Sequence, residues 1–534
     1  MSFNDPLVFV GPKIEGEHDT RIGLPAGATS LGESNAMKQL VHNGILFPKY
    51  EPKGFKITVR GKLIDLTPQQ EEMAVAWVRK LGTEYAEDPV FVKNFFGDFC
   101  RALGLNGALD RKDFDFSEIV KYVEDERARK LSMRKDEKKR VAAERKAARE
   151  ANKVKYGQAI VDGEKVDLGN YMAEPSCIFM GRGKHPLRGK WKQGPSETDV
   201  TLNLSPDAPR PPGNWKEVVW QPESMWIAKW DDRLRGEEKY VWLADSSSVK
   251  QEREIEKYDK ANALDRKIND LRAHIQANLA ASDLKRRKIA TVAYLIDALK
   301  LRVGDEKDKD EADTVGATTL RPEHIKIREG GRVVFDFLGK DAVRWCKEVE
   351  LPPQVVTNIT EFMSGARSSI FEGVRSDNVR EFLSEVVPGL SAKAFRTYHA
   401  SKVVSQYLKT TKVSSQDPEY VKKNVATLAN LEAAVICNHK RKLPKNWENS
   451  LAKKVERLKL LQAKKTKKSA EAVKALKLKI KTMKATRDYN LGTSLRSYID
   501  PRLYYRWGKK VDFDWKLYYS KTLQRKFSWV EKNH

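Results

Sequence analysis

The 534-residue chain has room for roughly three or four compact units, and its 100 Lys and Arg against 74 Asp and Glu give a formal net charge of +26. Such a field makes a polyanionic partner the first expectation, while no apolar run approaches the ~20 residues of a membrane-spanning helix. Cys100, Cys177, Cys346 and Cys437 lie far apart with no paired spacing, which argues against both a zinc site and a disulfide framework. The opening residues carry Asp5, Glu15, Glu17 and Asp19, unlike an Arg-rich transit peptide, so a soluble intracellular protein is expected.

Residues 1–36, rich in Gly, Pro and polar side chains, read as a mobile leader. Short β-like pieces follow between Gly44 and Asp65, with Arg60-Gly61 placed as a hairpin turn. Thr67-Pro68 marks a helix start, the threonine as cap and the proline in the first turn. Residues 117–155 read as a very polar helical segment whose Lys and Arg outnumber its acids after Arg127, either a solvated face or a positive surface turned toward a nucleic acid. In FMGRGKHPLRGKWK, residues 179–192, two glycines flank Arg182, and basic side chains recur at Lys184, Arg188, Lys190 and Lys192. Glycine lets the backbone approach a phosphate closely and arginine supplies a planar donor fork, but the Gly-Lys-Ser/Thr ending of a P-loop is absent.

A Trp-rich β-like region spans Trp215 to Trp242. The helical series from Val249 to Leu301 ends with Val292, Leu295, Ile296 and Leu299 on one buried face, which places Arg302 as a C-terminal cap. Arg332 to Lys347 alternates apolar and polar on both sides of Leu338 to Asp341, a β-hairpin pattern with Lys340 at its tip. A tip lysine serves either solubility or reach into a groove. Leu390 to Val403 reads as a helix with Arg396 and His399 three apart, hence on one face. In EAAVICNHKRK, Ala434 to Cys437 are buried and Asn438, His439 and Lys440 presented; a lone histidine there is more often structural than catalytic.

Residues 443–488 hold 15 Lys or Arg and four acids. Leu451, Val455 and Leu458, then Val473, Leu476, Ile480 and Met483, repeat at coiled-coil spacing on either side of AKKTKK. The pattern predicts an antiparallel basic helical hairpin with a thin apolar seam. In LGTSLRSYIDPR, residues 491–502, Pro501 disfavours helical geometry just before it and so ends a helix beside Tyr498.

No acidic cluster for magnesium, Gly-rich nucleotide loop or metal-ligand spacing appears, so no cofactor and no metal is expected. What remains is a set of cationic donors and a phenol. Attack of an oxygen nucleophile on a phosphodiester builds negative charge on five-coordinate phosphorus, which fixed Arg and His donors stabilise. A phenol is mostly protonated at neutral pH, and guanidinium groups beside it favour the ionised form. The departing 5′-oxygen needs an acid, a role open to a lysine held close by.

Several motifs taken together, HNGILFPKYEP, VKNFFGDF, GRGKHP, LRVGDEKDKDEADTVG, FDFLGKD, SAKAFRTYHAS, AVICNHKR, LGTSLRSYIDPR and KTLQRKFSW, resemble those of the eukaryotic type IB DNA topoisomerases, in that family's order from about Met37 to Lys532. The resemblance implies that Tyr498 is the nucleophile that becomes joined to a DNA 3′-phosphate. Arg302, Arg396 and His439 would bind the non-bridging oxygens, and Lys340 would be the general acid. It implies DNA contacts from Arg182, Lys184, His185, Arg188 and Lys190, with Asp341 and Ser497 near the cut. The implied fold is α+β and mainly helical, a two-lobed DNA clamp with a tyrosine-recombinase-like catalytic domain and a coiled-coil linker.

The implied units are a leader at 1–36, N-terminal lobes with basic helices at 37–245, a catalytic core at 246–442, the linker at 443–487 and a C-terminal domain at 488–534. The implied activity is ATP-independent relaxation of supercoiled double-stranded DNA by a monomer in the nucleus, with no membrane partner. Met180, Ser497 and His399 depart from the family's usual arginine, asparagine and asparagine. Ser497 thereby removes the basis for carrying over sensitivity to camptothecin-like poisons, and the short leader predicts no counterpart of the family's long charged N-terminal tail. Two rival readings remain. A tyrosine recombinase uses a similar residue set, although there the last His and Tyr lie close together, whereas 59 positions separate His439 from Tyr498 here. An inactive DNA-binding scaffold of the same fold is the other.

Overall fold

The computed structural model describes residues 36–105, 109–181, 183–305, 314–444, 446–463 and 466–532. The predicted leader at 1–36 therefore lies almost wholly outside the described residues, as does Arg182. Helices predominate, with several small sheets between them, an α+β arrangement. The chain divides into two compact units, passing from one to the other at Ser247 and Ser248.

In the N-terminal unit, strand β1 (Leu40–His42) is followed by the hairpin of β2 (Lys56–Val59) and β3 (Lys62–Asp65). Its turn residues Arg60 and Gly61 have φ of 48° and 79°, the left-handed pair that matches strand twist. Helix α1 (Pro68–Val78) begins as predicted, with Thr67 and Gln70 forming a reciprocal capping box. With α2 (Pro89–Ala102) and β4 (Phe114–Asp115) it encloses an aromatic core in which Trp77 stacks on Phe95 and Phe114 on Phe116. Glu71 is fully buried there. Its carboxylate accepts from Tyr50 Oη at 2.6 Å and from the backbone N–H of Lys53, Gly54 and Phe55, so the buried charge is satisfied and the KYEP loop is tied to α1.

The polar helical segment expected over 117–155 consists of two helices, α3 (Ser117–Ser132) and α4 (Lys135–Tyr156), separated where Met133 has the extended ψ of 129°. The division follows burial. Helix α3 buries Ile119, Val123 and Glu126, the last paired with Arg79 at 3.2 Å, whereas α4 buries nothing and carries nine Lys or Arg against four acids.

Strands β5 (Gln158–Val161) and β6 (Glu164–Asp167) complete a sheet with β1, β7 (Cys177–Ile178) pairs with β8 (Trp191–Lys192), and β9 (Thr201–Asn203), β10 (Glu217–Val219), β11 (Trp226–Asp232) and β12 (Glu237–Trp242) form a four-stranded sheet in the order β10-β9-β11-β12. His42 joins β1 to β9. Its Nε2 donates to the Asn203 carbonyl at 2.9 Å and its Nδ1 accepts from the Gly44 N–H at 3.1 Å, which defines a neutral imidazole. Burial pushes its pKa from the ordinary 6.5 down to about 4, against the raising effect of the Asn203 bond.

The unfolded chain therefore takes up this proton first. The stability contributed by His42 is fully present above about pH 6.5 and is lost as pH falls toward 4, by roughly 3 kcal/mol. Thermal melting of the N-terminal unit should fall over that window, and less steeply in His42→Gln.

The C-terminal unit opens with α5 (Ser248–Asn278) and α6 (Leu284–Leu299). A three-stranded antiparallel sheet follows, β13 (Ile325–Ile327), β14 (Arg332–Gly339) and β15 (Val343–Glu350), then α7 (Pro353–Ser364) and α8 (Ser376–Ser384). Leu295, Ile296, Phe335, Ile359 and Phe382 lie in the core these elements share. A second core forms around α9 (Ala392–Thr410), α10 (Glu419–Ile436), α13 (Leu491–Ser497), α14 (Pro501–Val511) and α15 (Lys521–Lys526), where Tyr504, Trp507, Phe527 and Trp529 are buried. Between α10 and α13 the basic segment forms α11 (Trp447–Ala463) and α12 (Lys467–Ala485), which pack side by side. Helix α12 is also tied to α10, through Tyr420 Oη donating to Glu471 at 2.8 Å and Asn424 donating to Thr482.

Candidate active site

Three side chains that the sequence places far apart meet at the end of α13. Tyr498 is its C-cap residue, buried to 5% exposure, with its N–H bonded to the Ser494 carbonyl. Ser401 on α9 brackets it, donating to the Tyr498 carbonyl at 3.2 Å and accepting from the Asp500 N–H at 3.0 Å. Asn430 on α10 holds the other end of α13, since it donates to the Leu491 carbonyl and accepts from Ser494 Oγ.

His439 reaches this point because the chain beyond α10 turns at Asn438, φ 54°, and pairs with the segment entering α13. The His439 carbonyl accepts from the Asn490 N–H at 2.7 Å, and Lys440 bridges Tyr489. The imidazole lies against the Tyr498 ring, centroids 5.3 Å apart and planes 28° apart. The Arg396 guanidinium sits 5.0 Å from the centroid of the same ring.

Arg396 is itself held by main chain. Its Nη1 donates to the Lys300 carbonyl at 2.6 Å, and its Nη2 to the Cys437 carbonyl at 2.9 Å and to His439 Nε2 at 3.1 Å. An arginine cannot accept, so the imidazole proton is assigned to Nδ1. Burial and the charges of Arg396 and Arg302 push the His439 pKa well below its ordinary value, which keeps the ring neutral. Arg396 Nε and His439 Nδ1 are buried and have no hydrogen-bond partner among the described residues.

Position alone favours Arg302 as a cap of α6, and the family resemblance places it with the phosphate-binding groups; the helix itself ends at Lys300, φ 59°. The left-handed turn directs the following residues into a loop held by main-chain bonds, Ala317 N–H to the Arg302 carbonyl at 2.8 Å and Thr318 N–H to the Val303 carbonyl at 2.6 Å. That crossing leaves no room for side chains, since a Cβ on Gly316 would lie 2.4 Å from Gly304 Cα and 2.8 Å from the Arg302 carbonyl oxygen. Gly316→Ala is therefore expected to cost about 1–3 kcal/mol, read as a lower urea midpoint, and to displace Arg302.

Lys340 stands on the turn between β14 and β15 as predicted, and Asp341 follows it in the same turn. The hairpin is tied on one side to the Arg302 loop, by Val315 N–H to the Leu338 carbonyl at 2.8 Å, and on the other to the residue before His439, by Asn438 Nδ2 to the Arg344 carbonyl at 3.4 Å. Ser497 is half-buried as the last residue of α13.

The remaining predicted contacts belong to the N-terminal unit. There Lys184 is exposed, whereas Arg188 pairs with Asp88 and Lys190 with Asp98, each at 3.0 Å. Arg188 also donates to the Gly183 carbonyl, and Asn94 on α2 donates to the carbonyls of Pro186 and Arg188. These two cations thus shape the loop. Buried His185 does so too, its Nδ1 accepting from the Leu187 N–H. Gly189, at φ 89°, is required where a Cβ would lie 2.1 Å from the Phe91 carbonyl oxygen.

Sequence reasoning missed the acceptors of Arg396, the carbonyls of Lys300 and Cys437, which carry no side-chain signature. It also missed Ser401 and Asn430, although Ser401 lies in the motif that holds Arg396.

Comparison with known proteins adds three family matches. Residues 36–243 match the family described as eukaryotic DNA topoisomerase I, DNA binding fragment; residues 246–472 match its catalytic core; and residues 470–534 match the C-terminal topoisomerase domain. The chain is 37% identical to DNA topoisomerase 1 beta of Arabidopsis thaliana and 34% identical to DNA topoisomerase 1 of Drosophila melanogaster, in each case over 92% of this chain. It spans 58% and 54% of the lengths of those two relatives. It is 32% identical to DNA topoisomerase 1 of Homo sapiens, with 92% of this chain and 70% of that protein covered.

Proposed function

This chain belongs to the eukaryotic DNA topoisomerase I family, and on that premise we propose that it relaxes supercoiled duplex DNA through transient cleavage of one strand. The observation that carries the reading is the convergence of Arg396, His439 and Tyr498, a phenol against a guanidinium and a neutral imidazole. The Tyr498 oxygen attacks a backbone phosphorus, its proton passing to solvent. A phosphotyrosyl bond forms on the 3′ side and the bond to the 5′-oxygen breaks.

Arg302, Arg396 and His439 stabilise the charge that grows on the non-bridging oxygens. Lys340 gives its proton to the departing 5′-oxygen. The free 5′-end rotates, and attack of the 5′-hydroxyl on the phosphotyrosine restores the strand without ATP. The fold that matches this activity is a two-lobed DNA clamp with a recombinase-like catalytic domain, α11 and α12 as the linker, and α4 as a basic surface that slows rotation. A monomer acting in the nucleus is the matching assembly and compartment.

The test is plasmid relaxation in EDTA without ATP, on negatively and positively supercoiled DNA. Relaxation of both is expected. Strand exchange between two defined sites without plasmid relaxation would make the chain a recombinase, and DNA binding without cleavage would make it a scaffold.

A further inference from the structure

His399 lies outside the set of groups that would touch a phosphate, yet it is joined to them by a short path. Its Nε2 is 2.7 Å from Asp297 Oδ1, on the last turn of α6. Burial alone would raise the Asp297 carboxyl, but the bonds from His399 and Arg272 hold it below the usual carboxylate range. The ionised carboxylate only accepts, so His399 Nε2 donates. Arg272 on α5 holds the same carboxylate with Nε at 2.7 Å and Nη2 at 3.3 Å.

Three residues along each helix a second rung follows, in which Arg396 Nη1 donates to the Lys300 carbonyl at 2.6 Å. Asp297 to Lys300 is one turn at the end of α6, and His399 to Arg396 is one turn of α9, run in the opposite sense. The two rungs fix the register of α9 against the end of α6, and Arg302 departs from α6 two residues beyond the second rung.

We propose that His399 is a positioning residue, which through Asp297 and the Lys300 carbonyl sets the guanidinium of Arg396 for DNA cleavage. Without the His399 rung, α9 loses one of these two ties to the end of α6 while Arg272 still holds Asp297, and misplacement of the guanidinium by about 1 Å is enough to cost on the order of 100-fold in rate. The inference rests on the proposed cleavage role of Arg396.

The experiment measures single-turnover cleavage of a duplex suicide substrate, DNA affinity and melting temperature for His399→Leu, His399→Gln and Asp297→Asn. His399→Leu is also made in an Arg396→Ala background. His399→Leu should slow cleavage at least ~10-fold while DNA affinity stays within about twofold. His399→Gln keeps an N–H at the reach of Nε2 and should recover most of the rate, and Asp297→Asn should be slowed. In the Arg396→Ala background the leucine should cause no further loss, because its effect passes through the missing guanidinium. The same fold-loss in both backgrounds, or native cleavage by His399→Leu, overturns the role of His399 and leaves the reading of Arg396 standing. Native cleavage by Arg396→Ala itself overturns both.

Discussion

Tyr498→Phe is expected to bind duplex DNA as the native chain does and to form no covalent adduct with it. The substitution removes one oxygen and leaves the ring, which is 5% exposed and lies against His439 and Arg396. The backbone bonds that end α13 and the bracket from Ser401 use main-chain atoms of Tyr498, so phenylalanine keeps them. Fold and binding surface are therefore retained while the proposed nucleophile is lost. The measurement is denaturing-gel capture of a strand labelled beside its cut, together with plasmid relaxation. Normal relaxation by Tyr498→Phe would take the nucleophile away from this residue.

The elements whose chemistry is local were legible in the sequence. Arg60-Gly61 marked a hairpin because its left-handed turn favours such residues, and Thr67-Pro68 marked a helix start because cap and proline act within one turn. Lys340 was found at a hairpin tip for the same reason. The place of the break at Met133 was not legible, because what sets α3 apart from α4 is its packing against α1, which the uniformly polar sequence does not show.

Composition and spacing gave no hint that Arg396, His439 and Tyr498 meet; only the resemblance to a family grouped them. The bonds that bring them together run from Arg396 to carbonyls 96 and 41 residues away. A main-chain acceptor looks alike at every position, and only the left-handed end of α6 at Lys300 turns this one toward the arginine. The same turn carries Arg302 two residues past Lys300 at the end of α6.

Arg396→Ala should slow cleavage by on the order of 100-fold or more, the scale of losing a fixed donor to a developing oxyanion. Two effects have to be separated. The guanidinium also donates to the Lys300 and Cys437 carbonyls, and a buried acceptor left unpaired costs about 1–3 kcal/mol. Some loss of stability is thus expected beside the loss of rate, and cleavage is to be measured well below the lowered melting temperature.

Arg396→Lys separates the two further. An ammonium restores the charge but lacks the planar fork that spans Lys300, Cys437 and His439 together, so most of the rate defect should persist. Because resealing passes through the same five-coordinate phosphorus, both variants should slow it by a similar factor, and the fraction of DNA held as adduct at equilibrium should change little. Near-native rates in both directions would remove Arg396 from the reacting centre, and a rate fully restored by lysine would reduce its role to charge alone.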